Sequence, residues 1–239
     1  MRLIIENLTK SYGNNTVLEN INFTFEQGKI YGLLGRNGSG KTTLLSCLDD
    51  LIPFESGIFF LENDDGTREP LDDTNMGLVL TEPRIPEFLT GYEFIKSFME
   101  ICHIDETDKI DEYFELISIC ETDRHKLIKE YSMGMKNKLQ ILMFLILKPK
   151  VLLLDEPLTS FDVIVAAEIK ELLKEMKKDH IIIFSTHILE LATNLCDEIT
   201  VLNNRTLSLV DNSLIHDPEF EHNIVEILRN GSASIQPGE

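Results

Sequence analysis

Apolar and polar residues alternate in two runs near the N-terminus, with the period of two that is typical of strands with one buried face. The alternating apolar positions are Leu3 and Ile5 in the first run and Ile21, Phe23 and Phe25 in the second. A turn-rich stretch at residues 12–15, Tyr-Gly-Asn-Asn, separates the two runs. The pattern therefore predicts a small antiparallel sheet at the start of the chain.

Short runs of almost continuous apolar residues follow later in the chain. They lie at residues 30–34, 77–80, 151–154 and 181–184. Such runs suit strands that are buried on both faces, as in a parallel sheet covered by helices. Patterns with a helical period lie between them, for example at residues 41–50 and 163–178. This alternation of strands and helices predicts an α/β core.

The pattern changes between residues 83 and 130, where two amphipathic helices are predicted at residues 91–101 and 108–120. Their apolar positions include Phe94, Phe98 and Ile101 in the first and Tyr113, Phe114 and Ile117 in the second. We predict a helical lobe, at about residues 83–145, inserted into one domain that spans residues 1–210. The C-terminal extension at residues 211–239 ends in a polar tail, from residue 232, that we expect to be disordered.

Composition narrows the class of protein and its partners. With 239 residues, 43% of them hydrophobic, the chain can form one sizeable domain, or one large lobe with a smaller one attached. Its formal net charge of −19 opposes binding to the phosphate backbones of DNA and RNA. We therefore expect no nucleic-acid partner, and we interpret the acidity as an aid to solubility.

Cysteine spacing and hydropathy indicate the compartment. The chain has four widely spaced cysteines without a C-x-x-C pair, so reduced thiols in a cytosolic protein are the simplest interpretation. The first residues contain no apolar signal-peptide core. The longest apolar run, residues 141–147, is much shorter than the roughly 20 residues that cross a bilayer. We expect any membrane role to come through a partner.

A glycine-rich motif lies between the apolar run at residues 30–34 and a helical pattern. It matches G-x-x-x-x-G-K-[ST] and consists of Gly35, Arg36, Asn37, Gly38, Ser39, Gly40, Lys41, Thr42 and Thr43. Glycines let successive N–H groups point at an anion, and the following helix N-terminus adds partial positive charge. Lys41 would place a full charge near the β- and γ-phosphates, and Thr42 would offer its hydroxyl to Mg²⁺. The motif predicts a site for a nucleoside triphosphate.

Two carboxylates follow the buried strand predicted at residues 151–154. Asp155 would hold the Mg²⁺, directly or through water. Glu156 would lie beside the γ-phosphate and polarise the attacking water. A phosphate loop needs such a magnesium partner on a neighbouring strand, which favours this interpretation over a solvated strand end.

These motifs and four further stretches, in this order, resemble the ATP-binding subunits of ABC transporters over residues 1–210. The stretches are Ser11-Tyr12-Gly13, Tyr131-Ser132-Met133-Gly134-Met135, Leu158-Thr159-Ser160-Phe161-Asp162 and Phe184-Ser185-Thr186-His187. The resemblance implies a P-loop NTPase core with a mainly parallel sheet, an N-terminal antiparallel β-subdomain and an inserted α-helical subdomain. It implies ATP and Mg²⁺ as the cofactors.

Two of these stretches would contact nucleotides. By resemblance, Tyr12 stacks on the adenine with Val17 packed nearby; the alternative is a turn tyrosine that covers apolar surface. Ser132 and Gly134 match the family signature LSGGQ, although the three residues around them do not. In the family this signature binds the γ-phosphate of the ATP held by the other subunit. The alternative for Ser132 is an ordinary helix N-cap.

The other two stretches imply an interface and a catalytic histidine. Asp162 matches the loop that crosses the dimer interface, and capping the next helix is its alternative role. His187 matches the residue that hydrogen-bonds the γ-phosphate and helps to orient the water. With Glu156 and Lys41, it completes the implied catalytic set.

One position departs from the family. The family usually has a glutamine after the strand at residues 77–80, where it links the Mg²⁺ site to the helical lobe. This chain offers Thr81, or Glu82 if the alignment shifts by one residue. Either side chain could touch Mg²⁺ through water, so the sequence leaves both open.

The resemblance implies a subunit that hydrolyses ATP to power a separate transmembrane permease. Two ATP-binding subunits, identical or different, would close around two ATP molecules and open after hydrolysis. The chain would lie on the inner face of the cell membrane, docked through a groove near Ile85, Phe88 and Tyr92, and an exporter is favoured. The alternatives are a soluble ABC ATPase with a non-transport partner and a regulator that binds nucleotide without hydrolysis. Retention of Glu156 and His187 argues against the regulator.

Overall fold

The computed structural model describes residues 1–158, 163–211 and 220–230. Its strands are, in chain order, Arg2–Tyr12 (β1), Asn15–Glu26 (β2), Ile30–Leu34 (β3), Ser56–Glu62 (β4), Arg68–Glu69 (β5), Met76–Val79 (β6), Val151–Asp155 (β7), Ile181–Thr186 (β8), Glu198–Asn203 (β9) and Thr206–Leu209 (β10). Its α-helices are Lys41–Leu48 (α1), Gly91–Ile101 (α2), Ile110–Leu116 (α3), Glu121–Arg124 (α4), Met133–Leu147 (α5), Val163–Met176 (α6), Leu189–Leu195 (α7) and Phe220–Asn230 (α8). Short 3₁₀ turns lie at Thr107–Lys109 and Ile128–Glu130.

The first sheet is antiparallel and has the order β2-β1-β4-β5. Leu3 pairs with Phe25 and Ile5 with Phe23, so the two alternating runs of the sequence face each other in register. Leu3, Ile5 and Phe25 are fully buried because they form one face of this sheet's core. The predicted N-terminal sheet is therefore confirmed, and β4 and β5 extend it beyond the two predicted strands.

The second sheet has the order β10-β9-β3-β8-β7-β6. The strands from β9 to β6 are parallel, and only β10 at the edge is antiparallel to its neighbour. Every residue of β3, β6, β7 and β8 is buried, as the continuous apolar runs predict. Because parallel strands end at the same edge, the residues that follow β3, β7 and β8 meet there.

Helices cover both faces of this sheet, which explains why its strands have no polar face. Leu44 and Leu45 of α1 pack in one apolar cluster with residues of β3, β7 and β8. On the opposite face, Leu142 of α5 and Leu173 of α6 belong to a second cluster with alternate residues of the same strands. The α/β core predicted from the sequence is confirmed.

The helical lobe between β6 and β7 contains α2 to α5. The helix α2 has the bounds predicted from the sequence, because Thr90 and Glu93 form a capping box that fixes its first turn. Its buried face includes Phe94, Ile95 and Met99, which pack against α3 and α5 in the lobe's share of the second cluster.

Two details of the predicted lobe are wrong. The second helix, expected at residues 108–120, is the shorter α3, preceded by a 3₁₀ turn. It ends early because Ser118 adopts a left-handed φ of 52°, and the N–H of Ile119 bonds to the carbonyl of Phe114. Ile101, expected on the apolar face, is the last residue of α2 and is 76% exposed. After the left-handed His103, Ile104 packs on the core instead.

Candidate nucleotide-binding site

The phosphate loop joins β3 to α1 and depends on its glycines. Gly38 and Gly40 have left-handed φ angles of 80° and 106°, which side chains rarely adopt. A Cβ atom at Gly40 would lie 2.7 Å from the Val17 side chain. The loop therefore lies tightly under Val17, and Gly40 directly precedes the first turn of α1.

Lys41 is the cation of this loop, and it is only 6% exposed. Its Nζ donates to the carbonyl of Gly35 at 2.9 Å and lies 3.8 Å from Glu156 Oε1. Burial lowers the pKa of Lys41, and the neighbouring carboxylates of Glu156 and Asp155 oppose that shift. The loop thus holds an ammonium group next to the backbone that would wrap a polyphosphate.

A hydroxyl and a carboxylate meet where α1 begins and β7 ends. Thr42 Oγ1 donates to Asp155 Oδ2 at 2.7 Å, and Ser185 Oγ donates to Asp155 Oδ1 at 2.6 Å. Magnesium prefers such oxygen ligands and usually takes its remaining ones from water and substrate phosphates. Within the described ranges, no cluster of three or more histidine, cysteine or acidic side chains could hold a metal without such help. Thr42 and Asp155 therefore fit a magnesium that arrives with a nucleotide.

Glu156 is turned toward the same edge by an unusual backbone conformation. Its φ is 50°, a region that costs a residue other than glycine roughly 1–3 kcal/mol. Its N–H donates to Ser185, to the carbonyl at 3.2 Å and to Oγ at 3.1 Å, which compensates part of this cost. Both carboxylate oxygens lie 3.0 Å from His187 Nδ1. The carboxylate of Glu156 can accept a proton from water, and His187 can hold that carboxylate in position.

A cleft of about 360 Å³ contains Lys41, Thr42 and Glu156, whereas Asp155, Ser185 and His187 are not among its described lining residues. Its lining residues are Val17, Asn37, Gly38, Gly40, Lys41, Thr42, Thr43 and Glu156. Arg36 and Ser39 instead line a neighbouring cleft of about 330 Å³, beside the start of β2 and the turn between β9 and β10. Gly35 lies under the loop, where a Cβ would clash with Ser39 Oγ at 2.4 Å. The structure thus brings the predicted loop residues around the position for a polyphosphate.

Tyr12 lies at the end of β1 and is 52% exposed. It is not among the described residues that line the larger cleft. The ammonium of Lys10 lies 4.8 Å from the centroid of its ring, and Lys10 itself is buried and pairs with Glu55 at 3.7 Å. Lys10 and Tyr12 share a face of the strand because they are two residues apart. The stacking role of Tyr12 stays a prediction.

Ser132 is the N-cap residue directly before α5 in the helical lobe, and Gly134 lies in the first turn of that helix. Ser132 Oγ accepts a hydrogen bond from the N–H of Met135 at 3.2 Å, so it does cap the helix. Neither Ser132 nor Gly134 is among the described residues of the cleft around the phosphate loop. Asp162, predicted at the dimer interface, and the tail from residue 232 lie outside the described residues.

The departure from the family's glutamine has a structural consequence. Thr81 Oγ1 donates to the backbone carbonyl of Asp155 at 2.9 Å. Thr81 therefore contacts the residue that faces Thr42, although Thr81 and the neighbouring Glu82 are both exposed. The predicted choice between the two as a magnesium contact stays open, but Thr81 is the one tied to the strand end.

Ser185 is a site residue to which the sequence analysis assigns no role. It is fully buried and contacts both Asp155 and Glu156. Its position directly opposite Asp155 comes from the parallel register of β7 and β8. The available signal was a hydroxyl at the end of an otherwise apolar strand, which must find a hydrogen-bond partner when buried.

Comparisons with known proteins agree with this fold. The family model described as ABC transporter matches residues 18–159. The chain is 31% identical to the uncharacterized ABC transporter ATP-binding protein YhcH of Bacillus subtilis (strain 168), over 92% of this chain and 72% of that protein. It is also 31% identical to the lantibiotic transport ATP-binding protein SrtF of Streptococcus pyogenes, over 95% of this chain and 96% of that protein.

A solved structure described as the ATP binding subunit of an ABC transporter is similar in fold, with a TM-score of 0.82 and 23% identity. The alignment covers 95% of this chain and 99% of that one, which confirms the predicted fold class. In the ranges that the structure describes, no helix combines the length and apolar character needed to cross a bilayer. The chain belongs to the ABC transporter family, as an ATP-binding protein that carries the family's ATPase domain.

Proposed function

We propose that this chain powers a separate membrane permease, and that two ATP-binding subunits close around two ATP molecules to do so. The observation that carries the proposal is the division of the site between two lobes. The core lobe supplies the phosphate loop and Glu156, which line the cleft, whereas Ser132 and the start of α5 belong to the helical lobe and do not line it. A second chain facing the first would bring its own Ser132 to this ATP.

Five polar side chains of the core lobe, at the nucleotide site, have proposed roles. Lys41 binds the β- and γ-phosphates, and its burial strengthens that contact. Thr42 and Asp155 would hold Mg²⁺, which would neutralise charge on the phosphates when bound. Glu156 accepts the proton of the attacking water, and the Nδ1–H of His187 keeps the carboxylate in place. In the imidazolium form, His187 would also donate its Nε2–H to the γ-phosphate. Loss of the γ-phosphate removes the group that both chains grip, so the dimer opens.

A permease and the inner face of the cell membrane are the proposed partner and location. SrtF, which matches this chain over almost its whole length, is described as a lantibiotic transport ATP-binding protein, and this supports a role in transport. Of the three residues proposed for docking, Phe88 is 78% exposed, whereas Ile85 and Tyr92 pack against the core of the lobe. Phe88 is therefore the docking residue that we propose.

Dimer closure can be tested in solution. We expect the Glu156→Gln variant to elute at twice the monomer mass of 27.3 kDa with ATP and as a monomer with ADP. The reason is that the γ-phosphate persists in this variant and holds both chains. Light scattering after size exclusion gives the mass directly. A variant that stays monomeric with both nucleotides at high protein concentration would contradict closure of two copies.

A further inference from the structure

The end of β6 is held by a side chain instead of a strand. β6 is the edge strand of the second sheet, and its described neighbour is β7 alone. Directly after it, the backbone of Leu80 faces the carboxamide of Gln140 in α5. With the amide oriented to suit its partners, the nitrogen donates to Leu80 O at 3.1 Å and the oxygen accepts from Leu80 N at 3.2 Å. Gln140 thus pairs with this residue as a neighbouring strand would.

Gln140 is an unusual residue for its surroundings. It is 7% exposed and lies between Leu139 and Ile141 on a helix that is buried against the sheet. A buried amide without partners destabilises the fold, so a side chain of this type needs the two hydrogen bonds it makes. Its place on α5 also puts it on the helix that begins at Ser132.

The segment that follows Leu80 connects α5 to the end of β7, where Asp155 would hold the metal. Thr81 donates to the carbonyl of Asp155, as described above. Further along, Glu87 forms an ion pair with Lys136 of α5, and its carbonyl accepts from the N–H of Lys129 at 3.1 Å. The segment is therefore fixed to Asp155 at its start and to the start of α5 at its far end.

We infer that Gln140 is a positioning residue for ATP hydrolysis. It fixes Leu80, and thereby keeps the hydroxyl of Thr81 on the backbone of Asp155. The inference rests on the proposed role of Asp155 in holding Mg²⁺. The helical lobe would then be linked to the magnesium site through Gln140 of α5. The segment after β6 contributes Thr81 to this link, at the position where the family usually has a glutamine.

Hydrogen exchange tests the contact without nucleotide or metal. Gln140→Leu removes both hydrogen bonds at similar side-chain size, so we expect the Leu80 amide to exchange at least about tenfold faster, as a locally opened amide does. Gln140→Glu keeps the acceptor but loses the donor, and its effect should be smaller. Gln27→Leu is the matched control, because Gln27 also donates to a backbone carbonyl, that of Lys178 at 3.3 Å. It should leave Leu80 unchanged.

Magnesium titration of the ATPase at saturating ATP tests the consequence. We expect Gln140→Leu and Thr81→Val each to raise the half-saturating Mg²⁺ concentration by roughly threefold or more, the scale of coupling between contacting groups. The double variant should be no worse than the stronger single one, since both act on the same contact.

Several outcomes separate the inference from the proposed function. Unchanged exchange at Leu80 in both Gln140 variants, or unchanged magnesium dependence in a folded Gln140→Leu protein, would overturn the inference. Multiplying effects in the double variant would also overturn it, because they would mean independent sites. Asp155→Asn with the parent's magnesium dependence would instead contradict the proposed role of Asp155, whatever the exchange at Leu80 shows.

Discussion

Replacing Glu156 by glutamine should nearly abolish ATP hydrolysis while ATP binding persists. The amide keeps the shape of the side chain but cannot accept a proton from water, and general-base catalysis typically contributes about 10²–10⁴-fold. The contact with His187 at 3.0 Å and the strained φ of 50° indicate a carboxylate held in one position for this task. Phosphate release measures turnover, and calorimetry with Mg-ATP measures binding.

A nearby glutamate provides the control for this prediction. Glu190 lies in the first turn of α7, shortly after His187, and is exposed. Glu190→Gln should keep the parent's rate within about twofold, as expected for a surface change away from the site. A Glu156→Gln protein that hydrolyses ATP as fast as the parent would refute the role given to Glu156.

Replacing Lys41 by alanine should remove most of the affinity for ATP. A buried charged partner that is truncated typically costs 2–5 kcal/mol of binding free energy, or about 30-fold to several-thousandfold in affinity. The same variant should lose hydrolysis, because the substrate no longer occupies the loop at ordinary concentrations. Calorimetry with Mg-ATP is the measurement, with circular dichroism as the test of folding.

The control for Lys41 is a lysine on the surface. Lys174 of α6 pairs with Glu171 one helical turn away, and Lys174→Ala should bind Mg-ATP as the parent does. If Lys41→Ala is folded and binds Mg-ATP with the parent's affinity, the phosphates do not lie where we place them.

Local patterns explain which features the sequence could predict. The phosphate loop is one continuous segment, and its glycines and the flanking apolar strand and helix carry the whole geometry. The four buried strands were predictable because a continuous apolar run suits a strand covered on both faces. The capping box at Thr90 fixed α2 in the same local way.

Contacts between distant segments were beyond the reach of such patterns. Ser185 meets Asp155 only because β7 and β8 pair in one particular register. Gln140 and Leu80 are brought together by the packing of α5 against the sheet edge.

The ends of the lobe's helices were also not predictable from periodicity. The short α3 depends on the left-handed conformation of Ser118, and a helical pattern does not exclude a serine at that position. The helical period places Ile101 on the apolar face of α2, but it does not show that the packing against this face stops before the helix ends.

Mixing two inactive variants tests most directly whether two chains share each ATP. Lys41→Ala removes the lysine of the phosphate loop, and Ser132→Glu places a negative charge where the γ-phosphate bound by the partner would lie. Each variant alone should therefore be inactive. A mixed dimer has one site with both defects and one site with neither. Random pairing makes half of the dimers mixed, so we predict recovery of about a quarter of the parent's ATPase rate. A mixture no more active than its two components would contradict a shared site.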